Sequence, residues 1–294
     1  MSVALLIARH EWRRLAVQAF AWMLAAIVIA LMAWQFLLAL EAFLQLAPKL
    51  GGLKEAPGVT DLVAIPILRS FSNLLMLLVP LITMRTIAGE RRAQSLSLLL
   101  AGGVGNARIV IGKYFGALGF AIVMILLVVA MPLALAFGTP LDYGRLAAAI
   151  LGLILFASAL TAIGVLCSAW TAQPALAAAA AFAVTSLLAI VDAGARLQGI
   201  DNSGINYIAL PTHIEPFFRG LVSSVDIVYF VLVTVVALAF AARRLLRAGF
   251  HPFGDHPQSG AACRPAGYYG GYIAGRIARH WRNHDRSDGG RYGS

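Results

Sequence analysis

Long apolar stretches dominate the pattern along this chain, with little alternation of apolar and polar positions. Six of these blocks each cover the roughly 20 residues that a helix needs to cross a hydrocarbon core of about 30 Å. The pattern therefore predicts an all-α, polytopic membrane protein. Its six transmembrane helices are expected at residues 16–40, 62–84, 109–137, 146–170, 172–191 and 225–242.

The composition agrees with this fold class. Hydrophobic residues make up 60% of the chain, charged residues only 12%, and the mean hydropathy is +0.82. Soluble domains carry about 25% charged residues, so an ordinary cytosolic enzyme and a disordered protein are excluded. Two isolated cysteines, Cys167 and Cys263, form neither a disulfide framework nor a metal cluster. We expect no metal and no other cofactor.

The positive charge is informative about topology. A net charge of +10 would suggest nucleic acid as the partner of a soluble protein, but cytoplasmic loops of membrane proteins also collect Lys and Arg. With six spans, 17 of the 23 Lys and Arg residues lie on the side of the two termini, and 6 lie on the other side. The distribution predicts that both termini are cytoplasmic, and no nucleic-acid partner is expected.

The chain is expected to have two parts. Residues 1–248 form the six-span transmembrane domain. Residues 249–294 are basic and rich in glycine, a composition typical of a disordered cytoplasmic tail.

A phosphate-binding loop for ATP is missing from the sequence. That loop reads G-x-x-x-x-G-K-[ST], and its nearest match is Gly112-Lys113. Tyr114 follows this pair, and Ala107 stands where the first glycine is required. The chain is therefore not expected to be an enzyme, and any ATP hydrolysis belongs to a partner subunit.

Ionisable residues are almost absent from the middles of the predicted spans. Arg69 is the exception, and three roles are open to it: reaching the membrane surface, pairing with Glu41, or contacting a substrate. None of the histidines lies in a span. Because proton and sodium pathways need ionisable groups near the middle of the membrane, a secondary transporter is disfavoured.

The N-terminal segment has the pattern of an amphipathic helix. Apolar residues recur at helical spacing, and arginines take the other positions. We expect a short helix in the inner membrane interface, although the segment could also simply extend the first span. The apolar positions are Leu5, Ala8, Trp12 and Leu15, and the arginines are Arg9, Arg13 and Arg14.

The cytoplasmic loop at residues 85–108 combines a charged cluster with an apolar run. A helix of this kind lies flat against a membrane and offers one face to a cytoplasmic partner. An ordinary positively charged loop is the alternative, but it would not explain the leucines. The candidate contact residues are Arg85, Glu90, Arg91, Arg92, Leu96, Leu99 and Leu100.

A second candidate site lies in the outside segment at residues 192–224. Pro211 and Pro216 bracket a short stretch that predicts an interfacial helix leading into the sixth span. The helix is either a lid over the exit of a pathway or a packing element. Its candidate residues are His213, Glu215, Phe217, Phe218 and Arg219.

Sequence motifs add a family resemblance. The run Val79-Pro80-Leu81-Ile82-Thr83-Met84-Arg85, then Glu90-Arg91-Arg92 and Leu96 to Leu100, resembles the signature of permeases of the type-2, exporter-like ABC transporter family. It is most similar to the gliding-motility and nitrous-oxide-reductase-maturation branch. Gln94-Ser95 and Ser97 depart from the family pattern of Gly-Thr and Glu, and the proline after the leucines is absent. The stretches 10–13, 58–63 and 211–220 also resemble that family.

The resemblance implies a function and partners. The chain would be the permease subunit of an ABC transporter in the bacterial inner membrane, with an unidentified substrate. A second permease subunit, identical or different, and separate ABC ATPase subunits would complete it, with membrane lipids around it. The loop at 85–108 and the N-terminal helix would receive the motion of the ATPase. Two alternatives remain open: a non-transporting membrane anchor that passes ATPase motion to a periplasmic partner, and a passive channel.

Overall fold

The computed structural model describes residues 3–50, 58–92, 105–197 and 209–249, and within these ranges the chain is helical and contains no strand. Leucine and alanine, which favour helices, are frequent in the long helices. The helices are α1 (Val3–Val17), α2 (Ala19–Leu50), α3 (Ile65–Thr83), α4 (Ala88–Arg92), α5 (Asn106–Ala134), α6 (Tyr143–Trp170), α7 (Pro174–Leu197), α8 (Leu210–Phe218) and α9 (Ser224–Gly249), with a π-helical segment at Thr60–Ala64 and a 3₁₀ turn at Leu135–Phe137.

Five of the six predicted spans are helices of sufficient length and apolarity to cross a membrane. They cover Ala19–Leu46, Thr60–Arg92, Ala107–Phe137, Tyr143–Trp170 and Ser224–Leu246. The predicted span at 172–191 falls in α7, whose apolar part, Pro174–Ile190, is shorter. At about 1.5 Å per residue this part rises about 25 Å, less than a hydrocarbon core of about 30 Å. The span at 172–191 therefore stays a prediction.

Helix α6 runs in the same direction as α3, as hydrogen bonds at the two ends of α6 show. The hydroxyl of Thr60 accepts a hydrogen bond from the Asp142 amide at 3.0 Å, just before α6 begins. Near the other end of α6, Ser168 donates to the Met84 carbonyl at 3.2 Å. We call the end of the bundle with Thr60 the Arg145 end and the end with Met84 the Lys113 end.

The core of the bundle surrounds α6, which packs against α3, α5, α7, α8 and α9. Two glycines of α6 allow close approach, since small residues let helices in a membrane pack tightly. A Cβ at Gly152 would lie 2.6 Å from the Phe217 Cβ, and a Cβ at Gly164 would overlap the hydroxyl of Thr83. These contacts fix α8 and the end of α3 against the central helix.

The N-terminal segment forms a helix of its own. Helix α1 ends at Val17, Gln18 is not helical, and α2 begins at Ala19. The interpretation that the segment extends the first span is therefore wrong. Helix α1 packs along α5, where the Trp12 ring lies 6.4 Å from the Phe120 ring between centroids. Its position relative to the membrane interface stays a prediction.

Candidate coupling surface and helix α8

The short helix α4 is anchored to the central helix at its start. The hydroxyl of Ser168 on α6 accepts hydrogen bonds from the amides of Ile87 at 3.1 Å and Ala88 at 3.0 Å. The first amides of a helix have no partner within the helix. The buried hydroxyl of Ser168 is the hydrogen-bond acceptor for these two amides. The segment that leads from α3 into α4 is thereby held against α6.

A buried lysine joins three elements at this end of the bundle. Lys113, on the second turn of α5, has a side chain only 1% exposed. Its Nζ lies 2.5 Å from Oε1 of Glu90 on α4 and 3.5 Å from Oε2 of Glu11 on α1. The Glu11 side chain is also 1% exposed, and that of Glu90 is 19% exposed. Charged groups are rarely buried this deeply unless they are paired.

Arg14 completes this group, which we call the Lys113 cluster: Glu11, Arg14, Glu90 and Lys113. Its guanidinium lies 3.5 Å from a carboxylate oxygen of Glu11 and 3.5 Å from one of Glu90. It also donates a hydrogen bond of 2.9 Å to the Arg85 carbonyl. With two acids and two bases, the cluster has a formal net charge of zero. The cluster ties α1, α4 and α5 together through charge-assisted contacts.

Glycine at position 116 makes the cluster possible. A Cβ at Gly116 would lie 2.6 Å from the Cβ of Glu11 and 3.1 Å from the carbonyl of Ala8. Any larger residue would therefore push α1 away from α5. The close approach brings the carboxylate of Glu11 within reach of Lys113, which lies one turn before Gly116 on α5.

At the Arg145 end, helix α8 turns one face into the core. His213, Ile214, Phe217 and Phe218 are buried, and both phenylalanines are 0% exposed. The Nδ1 atom of His213 lies 2.6 Å from a carboxylate oxygen of Asp226 on α9. The His213 ring also stacks on Tyr229, with centroids 3.8 Å apart.

Three arginines form ion pairs or hydrogen bonds with the residues of α8 that are not in the core, or with its last turn. Arg69 of α3 pairs with Glu215 at 2.5 Å, and Arg219 lies 3.8 Å from the same carboxylate oxygen. Arg145 donates a 2.8 Å hydrogen bond to the Phe218 carbonyl and pairs with Asp61. Helix α8 is thus bound to α3, α6 and α9.

The matched family profile settles what kind of protein carries these two sites. The profile described as ABC-2 family transporter protein matches residues 55–243, more than half of the chain. The chain belongs to the ABC-2 transporter family. This permease is therefore a membrane component of an ABC transporter, with several transmembrane helices. No curated protein matches the chain.

The structure describes part of the predicted coupling surface of this permease. Arg85 is exposed, with its guanidinium carbon 5.7 Å from the Phe20 ring centroid, and Arg92 is exposed as well. Arg91 is half-buried. Leu96, Leu99 and Leu100 lie outside the described residues. The charged half of the predicted surface is therefore placed beside the Lys113 cluster.

Glu11, Arg14 and Lys113 were not predicted as members of one site. Lys113 counted as one of the positive charges that define topology and as part of the failed match to a phosphate-binding loop, and Glu11 only as part of a family motif. The sequence does contain a signal for Lys113, which is its position inside the apolar block at 109–137. A lysine inside an apolar block requires a buried partner or a route to the surface.

At the Arg145 end, one expectation is overturned and one predicted helix is present. Pairing of Arg69 with Glu41 is wrong, since Arg69 pairs with Glu215, and Glu41 instead accepts a hydrogen bond from Gln45 at 3.3 Å. The short helix predicted around His213 is present as α8. Its burial favours the packing role over the lid, because moving a lid would expose Phe217 and Phe218.

Truncating Phe217 or Phe218 to alanine should destabilise the permease. Each substitution removes a fully buried ring, and such truncations cost about 3–5 kcal/mol in a core. Thermal inactivation followed by size-exclusion chromatography should show a lower transition temperature for either variant. Leu221→Ala is the matched control, since Leu221 is 63% exposed. Unchanged stability of the phenylalanine variants would favour a mobile lid.

Proposed function

We propose that this permease moves an unidentified substrate across a bacterial inner membrane, driven by a separate ABC ATPase that acts on the segment beginning at Arg85. The proposal includes six spans, cytoplasmic termini, a cytoplasmic tail at residues 249–294 and a second permease subunit, identical or different. It also includes membership of the gliding-motility and nitrous-oxide-reductase-maturation-like branch. Family membership supports the role as a permease.

The Lys113 cluster is the observation that carries the proposed coupling. Glu90 lies within the candidate contact surface, and its carboxylate is bound to Lys113 of α5 and near Arg14 of α1. A force applied to α4 is therefore passed to a helix that crosses the membrane and to α1. Ser168 passes the same force to α6.

These contacts suit a rigid-body transition. A packed bundle responds to a push at one end by moving between discrete arrangements, since its core does not deform continuously. In this proposal α1, α4 and the inner halves of α5 and α6 move together. Arg91, Arg92, Leu96, Leu99 and Leu100 would contact the ATPase, with the arginines setting the register and the leucines contributing apolar area.

Co-purification tests the partner. A tagged full-length chain should retain an ABC ATPase from native membranes, and the complex in proteoliposomes should hydrolyse ATP while the chain alone should not. Arg91→Glu/Arg92→Glu should reduce recovery of the ATPase, and Arg219→Glu, at the opposite end, should not. Recovery of the permease without any ATPase would overturn the proposal. Stimulation of ATP hydrolysis by a substrate would separate a transporter from a membrane anchor.

Cysteine labelling tests the topology. In a background without Cys167 and Cys263, single cysteines replacing Gly52, Gly138 and Asn202 should react with an impermeant maleimide added from outside. Those replacing Gln94 and Ser259 should react only after the membrane is opened. Outside labelling at Gln94 would contradict both the orientation and the position of the coupling surface.

A further inference from the structure

The junction of α1 and α2 carries a basic depression on its surface. It has a volume of about 530 Å³ and is lined by His10, Arg13, Arg14, Val17 and Gln18. Among these lining residues there is no acid. Arg85 lies nearby, because it lines a small, mostly apolar neighbouring cavity together with Gln18.

The charges at this junction are only partly paired within the described chain. Arg14 is engaged in the Lys113 cluster, but no described acid lies within ion-pair distance of Arg13. His10 and Arg13 are both exposed. Adjacent positive groups repel each other unless an anion lies between them. The depression is therefore complementary in charge to a phosphate.

The position of the junction indicates where such a phosphate would come from. The apolar span of α2 begins at Ala19, directly after Gln18, so the depression lies where hydrocarbon gives way to headgroups. Val17 is 84% exposed beside it, and the Trp22 indole donates a hydrogen bond to the Ala16 carbonyl across the junction. Tryptophan is enriched at this depth of a membrane.

We propose that the α1–α2 junction binds an anionic phospholipid, with its phosphate between His10, Arg13 and Arg14 and its acyl chains along Val17 and the exposed face of α2. The binding energy comes from guanidinium–phosphate hydrogen bonds and from apolar contact. The lipid would hold α1 at the membrane surface while the buried face of α1 contacts α5. This binding does not depend on an ATPase.

Native mass spectrometry of the full-length chain in detergent tests the site. Dioleoyl-phosphatidylglycerol and dioleoyl-phosphatidylcholine share acyl chains and differ in net charge, so their affinities report the headgroup. We expect wild type to prefer phosphatidylglycerol, and His10→Gln/Arg13→Gln to reduce this preference about fivefold or more. Arg108→Gln, an exposed arginine at the same end, is the matched control and should keep the preference.

Two further measurements complete the test. Inorganic phosphate at millimolar concentration should not displace the lipid, since it lacks the apolar contacts. Brominated phosphatidylglycerol should quench the fluorescence of Trp22, measured as the quenching that Trp22→Phe removes. Equal affinity for the two lipids, equal loss in Arg108→Gln, displacement by phosphate, or quenching unaffected by Trp22→Phe would each overturn the proposal. Because none of these readouts involves ATP, their failure would leave the proposed coupling intact.

Discussion

Lys113→Met should sharply destabilise the permease, while Arg108→Met on the same helix should not. Methionine keeps most of the length and the apolar character of the lysine stem but removes the charge that faces two carboxylates. Removing one partner of a buried charge cluster costs about 3–5 kcal/mol, because the opposite charges remain buried. Arg108 is exposed, so its loss removes the same charge from solvent.

Thermal inactivation in detergent, read by size-exclusion chromatography, measures the difference between these two variants. A triple variant, Glu11→Gln/Glu90→Gln/Lys113→Met, should recover much of the stability, since no buried charge is then left without compensation. Recovery would show that the loss in Lys113→Met is electrostatic. Equal inactivation temperatures for Lys113→Met and Arg108→Met would show that the cluster does not hold α1 and α4 to α5.

Glu90→Gln should uncouple the permease from the proposed ATPase without preventing folding. The substitution removes the ion pair between Glu90 of α4 and Lys113, but Lys113 retains Glu11. Residues 85–92 would then be held to α5 by a hydrogen bond from the Lys113 ammonium to an uncharged amide oxygen at best. We expect the ATPase to co-purify at near wild-type yield, and the effect of the permease on ATP hydrolysis to fall about tenfold, since a coupling of 1–3 kcal/mol corresponds to about 5–150-fold.

The two measurements separate possible roles for Glu90. Loss of ATPase recovery would place Glu90 in direct contact with a cation of the partner, which is the role that the sequence suggested. Recovery with impaired coupling identifies a residue that positions the segment through Lys113. Glu41→Gln is the control, since Glu41 lies on α2 and contacts Gln45 on the same helix. Unchanged recovery and unchanged coupling would remove Glu90 from the coupling surface.

The apolar blocks of the sequence determined most of the secondary structure. Their length and lack of charge leave a helix as the form that satisfies every backbone hydrogen bond within one segment in lipid. The predicted bounds 146–170 became Tyr143–Trp170, and 225–242 became Ser224–Gly249. The ends of the helices were predicted less well than their centres. In the first span, for example, helix α2 continues past Glu41 to Leu50. A charge ends an apolar block without ending the helix.

The sequence also indicated the charged loop and the short helix around His213, because turn residues, charges and helical spacing are local signals. Tertiary structure decided which groups meet. Glu11 and Lys113 are separated by 102 positions and Arg69 and Glu215 by 146, and no local pattern encodes such pairs. Their contacts depend on how closely helices approach at Gly116 and Gly152, where the absence of a side chain sets the distance. Burial followed from the same packing, which placed His213, Ile214, Phe217 and Phe218 of α8 in the core.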